Sequence, residues 1–162
     1  AEVTLAGVGG TELCGSHGIR ITADVAAEDA LSVAYDMAVV PGGMPGTNHM
    51  DACEAVDTVL KTTAANGGYL AAICAAPLVL GKRGYLKGKE AICFPGFEED
   101  LIGATALPDG VVRDGNVITA RGMGVALDFG LALVAALKDE ETAAADVARF
   151  IATLRKAGIL ED

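Results

Sequence analysis

Short apolar runs alternate with helical patterns along most of this chain. The run at 37–43, which ends in a glycine pair, and the run at 69–73 have the composition of parallel strands that helices cover on both faces. The apolar residues after each run are spaced for a helix. This alternation predicts an α/β sandwich with a mainly parallel sheet. The other predicted strands are 2–7, 19–23, 89–93 and the hairpin 111–120, and the predicted helices are 26–34, 45–66 with a break near Asp51, 75–86, 125–138 and 141–156.

Length and composition exclude several classes of protein. A chain of 162 residues suits one domain, here 1–162. The apolar content is 52% and the aromatic content 4%, which predicts a core built mainly of Ala, Val, Leu and Ile. The net charge of −10, without a cluster of Lys and Arg, opposes binding to nucleic acid. No apolar run reaches the roughly 18 residues of a membrane helix and no signal-peptide pattern is present, so we expect a cytoplasmic protein without a membrane partner.

The four cysteines show no paired spacing. Cys14, Cys53, Cys74 and Cys93 lie far apart, which indicates neither a disulfide framework nor a zinc ribbon. Cys14 and His17 have the spacing of two metal ligands, but no second pair accompanies them and a surface loop is the favoured interpretation. We therefore predict no metal and no cofactor. Cys53 and Cys93 are most simply core residues, although Cys93 can lie near Cys74 at one sheet edge.

Cys74 stands at the junction between the strand 69–73 and the following helix. Ligands of parallel α/β sheets bind beyond the carboxyl ends of the strands, and Gly42 and Gly43 end the neighbouring apolar run. A thiol at a sharp strand-to-helix turn is exposed, and the free N–H groups of a helix N-terminus favour its thiolate form. The N–H groups of Ala75, Gly42 and Gly43 can then form an oxyanion pocket. The alternative is a buried, inert cysteine that follows a strand.

Four segments resemble a known family. They are VVPGG at 39–43, AAICAAP at 71–77, CFPGFEE at 93–99 and TARGMG at 119–124, which ALDFGLALVAAL follows. Together they are similar to the ThiJ/PfpI superfamily, within the branch of bacterial YajL and the human Parkinson-disease protein deglycase. The match covers nearly all of the chain. It implies a flavodoxin-like three-layer sandwich, usually a homodimer, in which Cys74 is the reactive cysteine of a nucleophile elbow.

The resemblance implies two uses of that thiol. In a cofactor-independent glyoxalase or deglycase, the Cys74 thiolate attacks methylglyoxal-type aldehydes or their adducts, and a carboxylate moves a proton between carbons. In a non-enzymatic oxidative-stress sensor or redox-regulated chaperone, oxidation of Cys74 is the signal. Both uses need the same thiolate. A Cys–His protease is not predicted, because Ala75 follows the cysteine and both histidines, His17 and His49, lie upstream.

The chain departs from the family pattern at its start. The resemblance implies that the family's first strand–helix unit, with the glutamate that hydrogen-bonds the reactive sulfur, precedes the segment at which this sequence begins. Since an empty central position leaves unpaired backbone groups on the neighbouring strands, we expect a separate N-terminal chain or fragment to supply the central first strand and the Glu. The resemblance also places Phe94, Gly122 and Met123 in the pocket or beside the dimer partner. His17 matches an Arg that approaches the partner's site, with a solvent-exposed turn as the alternative.

Overall fold

The computed structural model describes residues 1–157. Their strands are β1 (Ala6–Gly7), β2 (Glu12–Cys14), β3 (Arg20–Thr22), β4 (Val25–Ala26), β5 (Met37–Val40), β6 (Tyr69–Ile73), β7 (Glu90–Ala91), β8 (Thr105–Ala106), β9 (Val111–Asp114) and β10 (Val117–Ala120). Their α-helices are α1 (Gly46–Asp51), α2 (Glu54–Ala65), α3 (Pro77–Lys82), α4 (Ala126–Leu137) and α5 (Glu140–Lys156). Short 3₁₀ segments cover Ala27–Ser32, Glu98–Asp100 and Met123–Val125.

The main sheet has four strands in the order β5-β6-β10-β9. β5, β6 and β10 run parallel, so that Ala71 of β6 lies between Val39 and Ile118. β9 is antiparallel to β10 and joins it through a turn at Gly115, whose φ is 59°. The mainly parallel sheet confirms the predicted α/β fold class.

Helices cover both faces of the main sheet. On one face, α2 and α3 enclose the larger core, in which Leu60 and Leu80 are fully buried. On the other face, α4 packs through Phe129 close to Ile118, and α5 lies against α4. The result is the three-layer sandwich that the resemblance implied.

The edge of the main sheet at β5 is open within residues 1–157. β5 is bonded to β6 on one side, whereas β1 pairs with β4 in a separate small sheet. Between β1 and β5 lies a mainly apolar cavity of about 190 Å³. Its walls include Leu5, Val39 and Val59, and Val39 remains 45% exposed. We call this cavity the β1–β5 slot.

The N-terminal elements differ from the predicted ones. The strand predicted at 2–7 is reduced to β1, because the amide of Leu5 donates to the Asp24 carboxylate at 2.7 Å instead of to another strand. The predicted strand 19–23 is found as β3, which forms a hairpin with β2. The segment predicted as a helix over 26–34 forms a 3₁₀ turn over Ala27–Ser32.

Further along the chain, the predictions hold with shorter bounds. The break near Asp51 is the end of α1, and β6 coincides with the predicted strand 69–73. The helix predicted at 75–86 is confined to α3, because Gly84 turns the chain with a φ of 78°. Among the described helices, none is both long and apolar enough to cross a membrane.

Candidate active site

Cys74 lies on a strained turn directly after β6. Its φ is 65°, and it is the one non-glycine among residues 1–157 with a positive φ. The turn is held from two sides: the Cys74 amide donates to the carbonyl of Ala120 at 2.9 Å, and the Phe94 amide donates to the carbonyl of Cys74 at 2.8 Å. Strained backbone persists only where its surroundings hold it, and such residues are concentrated at functional sites. A half-buried thiol on this turn has the geometry of a nucleophile elbow.

Gly42 touches the elbow so closely that a side chain has no room there. A Cβ built on Gly42 lies 2.5 Å from the Cβ of Cys74, 2.5 Å from the carbonyl oxygen of Ile73 and 3.2 Å from the amide nitrogen of Ala75. The structure therefore brings the predicted residues Gly42, Cys74 and Ala75 together. The carboxyl ends of β5 and β6 therefore meet at this point.

Gly43 is fixed in position by Thr47. Its φ is 94°, which favours glycine. Its carbonyl accepts from the amide of Thr47 at 2.8 Å and from the Thr47 hydroxyl at 2.9 Å, and Thr47 is fully buried. The loop beside Cys74 is therefore anchored to the first turn of α1.

The ring of Phe94 packs against Gly122 and forms an aromatic wall near Cys74. The ring carbon Cδ2 of Phe94 lies 3.2 Å from the position of a Cβ on Gly122, and Phe94 bonds to the Cys74 carbonyl through its own amide. Met123, which follows Gly122, is 88% exposed, so it points away from the described core. His17 lies on the exposed turn of the β2–β3 hairpin, where its Nδ1 pairs with the Ser16 hydroxyl at 3.1 Å. No described contact joins His17 to Cys74.

Cys93 is the cysteine placed next to the elbow. It precedes Phe94, is 1% exposed and belongs to the core below α3. Burial raises the pKa of its thiol to about 11, and the charges of Glu98 and Asp100 contribute to the rise. Glu98 also accepts a hydrogen bond from the Gly96 amide at 2.9 Å, so its carboxylate serves the local turn. Cys93 is thus a core residue, as predicted, and it is a neighbour of Cys74.

The other candidate ligands do not converge. Cys14 is exposed on β2, and Cys53 precedes α2 in a half-buried position. Within the described part of the chain, no group of three or more His, Cys, Asp or Glu side chains is placed to hold a metal ion. The site consists of one thiol, the surrounding backbone amides and an aromatic wall.

Comparison with known proteins identifies the family. The model of the DJ-1/PfpI family matches residues 1–136. The chain belongs to the DJ-1/PfpI family. DJ-1 of Toxoplasma gondii in an oxidized form superimposes with a TM-score of 0.88 at 31% identity, over 93% of this chain and 83% of that one. DJ-1beta of Drosophila melanogaster superimposes with a TM-score of 0.84 at 34% identity, over 93% and 82%.

The names of the curated DJ-1/PfpI relatives indicate more than one activity. The Drosophila melanogaster protein dj-1beta is 38% identical over 86% of this chain and 76% of its own length. A glutathione-independent glyoxalase of Caenorhabditis elegans is 34% identical over 78% and 68%, and an isonitrile hydratase of Pseudomonas putida is 33% identical over 79% and 56%. The chain spans 33% and 38% of the length of two Arabidopsis thaliana DJ-1 homologs, B and A, to which it is 38% identical. Membership of DJ-1/PfpI therefore fixes the fold but leaves several reactions open.

An ion cluster that joins three helices was not predicted. Arg83 directly follows α3. Its guanidinium donates to the carboxylate and to the backbone carbonyl of Asp51, each at 2.7 Å, and to the carboxylate of Asp57 at 3.1 Å. Burial opposes the ionisation of Asp51, but the hydrogen bonds from Lys82 and Arg83 outweigh it and hold the pKa of that carboxyl below its usual value. The cluster ties the end of α1 to α2 and α3. No local pattern indicates it, because the partners lie up to 32 residues apart.

Proposed function

We propose that this chain carries the reactive cysteine of a cofactor-independent glyoxalase or deglycase that acts on methylglyoxal-type aldehydes or their adducts. The observation that carries the proposal is the strained, backbone-held turn at Cys74 next to Gly42. The similarity to a protein named a glutathione-independent glyoxalase supports this reaction class.

The chemistry proceeds through the Cys74 sulfur. Its thiolate adds to the aldehyde carbon of methylglyoxal, and the carbonyl oxygen becomes the oxyanion of a hemithioacetal. The amides of Gly43 and Ala75 are the proposed donors to that oxyanion. A carboxylate then moves the proton from the aldehyde carbon to the neighbouring carbon, which leaves a lactoyl thioester. Water hydrolyses the thioester to lactate and restores the thiol.

The carboxylate is proposed to come from a segment that fills the β1–β5 slot. A strand placed there would complete the pairing of β5 and shield Val39, which is 45% exposed in a sheet position that parallel strands normally bury. If it runs parallel to β5, its carboxyl end lies at the same sheet edge as Gly42 and Cys74. A complementing strand–helix fragment with a Glu at that end would place the acid–base group at the thiol.

A homodimer is proposed as the working form. The β2–β3 hairpin exposes two large apolar side chains, Ile19 at 68% and Ile21 at 51%, on either side of Arg20. A partner subunit that covers them would bring the nearby His17 turn into the interface. Light scattering of the complemented protein should then give about twice the mass of the assembled protomer, and a protomer mass would contradict the dimer.

The test is lactate formation from methylglyoxal in the presence of the complementing segment. We expect lactate from the wild type and from Cys53→Ala, a matched removal of a half-buried cysteine away from the elbow. Cys74→Ala should form none. Equal lactate production by Cys74→Ala and the wild type would contradict the proposal. Without the segment, iodoacetamide should still alkylate Cys74 while lactate formation is lost, because the proposed carboxylate belongs to the segment.

The second candidate is a redox sensor or redox-regulated chaperone that uses oxidation of Cys74. The observation that favours it is the position of a second thiol, Cys93, directly beside the elbow. A Cys74-dependent change in holdase activity after peroxide treatment, without lactate formation, would support this candidate over the enzyme.

A further inference from the structure

We propose that Cys93 is the resolving thiol of Cys74: after a peroxide oxidises Cys74, the two sulfurs form an intrachain disulfide. The inference rests on the reactive Cys74 thiolate of the proposed function, but it does not depend on the aldehyde reaction.

The backbone brings the two cysteines side by side. The amide of Phe94, the residue after Cys93, donates to the carbonyl of Cys74 at 2.8 Å. Backbone segments joined by such a bond run about 5 Å apart. Disulfides form between residues whose Cα atoms lie roughly 4.4–6.8 Å apart, so this spacing suits a bridge.

The side chain of Cys93 is buried in the core that α2 and α3 enclose. Cys93 belongs to the same buried cluster as Ala76, two residues after Cys74. The charge of a Cys74 thiolate also acts on the Cys93 thiol. Cys14 and Cys53 lie on other elements, β2 and the start of α2, and neither has a described contact with the elbow. Among the described cysteines, Cys93 is the partner within reach.

The surroundings of the two thiols assign them different roles. Cys93 is 1% exposed, and burial first, then the charges of Glu98 and Asp100, raise its pKa to about 11. It therefore remains a protonated thiol that a peroxide cannot readily reach. Cys74 is half-buried, so the oxidant meets it first.

Oxidation of Cys74 and formation of the bridge are two separate steps. The Cys74 thiolate attacks a hydroperoxide, ROOH, so that an S–O bond forms and the O–O bond breaks. The products are the sulfenic acid of Cys74 and an alkoxide, and the alkoxide takes up a proton. The Cys93 sulfur then attacks the sulfenic sulfur; the S–S bond forms, hydroxide leaves with the proton of Cys93, and water is released. The peroxide is reduced by two electrons, which the two thiols supply. A dithiol reductant restores both thiols.

The bridge would protect Cys74 from irreversible oxidation. A sulfenic acid that a thiol captures cannot take a second peroxide to become sulfinic acid. The elbow would then act as a reversible switch, whereas an elbow cysteine without a neighbouring thiol proceeds to the sulfinic state.

The test uses the Cys14→Ser/Cys53→Ser double variant, which keeps the two thiols in question, treated with hydrogen peroxide. We expect a mass loss of about 2 Da that a reductant reverses. Trypsin should release a cross-linked pair of peptides, 62–82 and 90–113. With Cys93→Ala added, we expect Cys74 to gain about 32 Da instead, with at least roughly tenfold more sulfinic acid at equal peroxide dose.

The outcomes separate this inference from the proposed function. Sulfinic acid at Cys74 without the cross-linked peptides, at the same rate with and without Cys93, overturns the resolving role and leaves the reactive thiol intact. If neither peroxide nor iodoacetamide modifies Cys74, the reactive thiolate is wrong and both proposals fail. The cross-linked peptides are read from protein with Cys93 in place, so the test does not require the Cys93→Ala variant to fold.

Discussion

A single methyl group at Gly42 should displace the elbow. The added Cβ of Gly42→Ala would lie 2.5 Å from the Cβ of Cys74 and from the carbonyl oxygen of Ile73, whereas ordinary contacts begin near 3.4 Å. The two backbones must therefore separate by about 0.9 Å. Neither contact is the free end of a flexible side chain, so the turn at Cys74 has to move as a whole.

The expected loss can be estimated from this displacement. Overpacking of this kind costs roughly 1–3 kcal/mol of unfolding free energy. For a chain of this length it lowers the melting temperature by roughly 2–12 °C. A shift of about 1 Å at reacting atoms costs on the order of 100-fold in rate. A 100-fold loss corresponds to about 2.7 kcal/mol, so the effect on the Cys74 sulfur should be similar in size to the effect on stability.

The assay is the rate at which iodoacetamide alkylates Cys74, read by mass spectrometry from the tryptic peptide 62–82. It needs neither the aldehyde nor the complementing segment. The matched control is Gly46→Ala, three residues from the glycine pair, where a Cβ meets nothing within 4 Å. We expect Gly46→Ala to alkylate as the wild type and to melt within a few degrees of it. If Gly42→Ala behaves like Gly46→Ala in both measurements, the close approach at the elbow does not control the thiol.

Two further predictions concern the supports of the site. The buried hydroxyl of Thr119 accepts from the amide of Ile92 at 3.0 Å, whereas the hydroxyl of the equally buried Thr63 has no partner among the described residues. Thr119→Val should therefore cost about 1–3 kcal/mol in urea unfolding and Thr63→Val should be near neutral, and equal losses would contradict this account. Asp51, whose pKa is held below its usual value, contributes stability above about pH 4 that is lost as pH falls through its folded pKa. Asp51→Asn should thus destabilise the protein most above about pH 5 and match the wild type progressively at lower pH; a constant difference across pH would refute the ionic origin.

The elements that the sequence predicted well are those whose signals are local. β6 is a continuous apolar run between Gly68 and the turn at Cys74, and its bounds agree with the prediction. The hairpin of β9 and β10 has Asp114-Gly115 at its turn, and Gly115 adopts the positive φ that such a turn requires. The contact between the glycine pair and the elbow followed from the rule that the carboxyl ends of parallel strands meet at one sheet edge.

The features that the sequence did not predict depend on distant partners. The strand at 2–7 is short because Asp24, 19 residues after Leu5, takes the Leu5 amide. The Arg83 cluster and the bond between Thr119 and Ile92 join segments 26 to 32 residues apart. Amphipathic spacing records which face of a helix is apolar, but it does not record which charged groups meet across two helices.

The open edge of β5 has a consequence for handling the protein. Within residues 1–157 the edge of β5 beside the exposed Val39 has no partner strand, and such an edge is a template on which a strand of another chain can add. Filling the β1–β5 slot therefore competes with aggregation, and the occupied and empty forms should differ most in shelf life and in the concentration at which they precipitate. If the proposed segment fills the slot, shelf life would then depend on its supply as much as on the core of the sandwich.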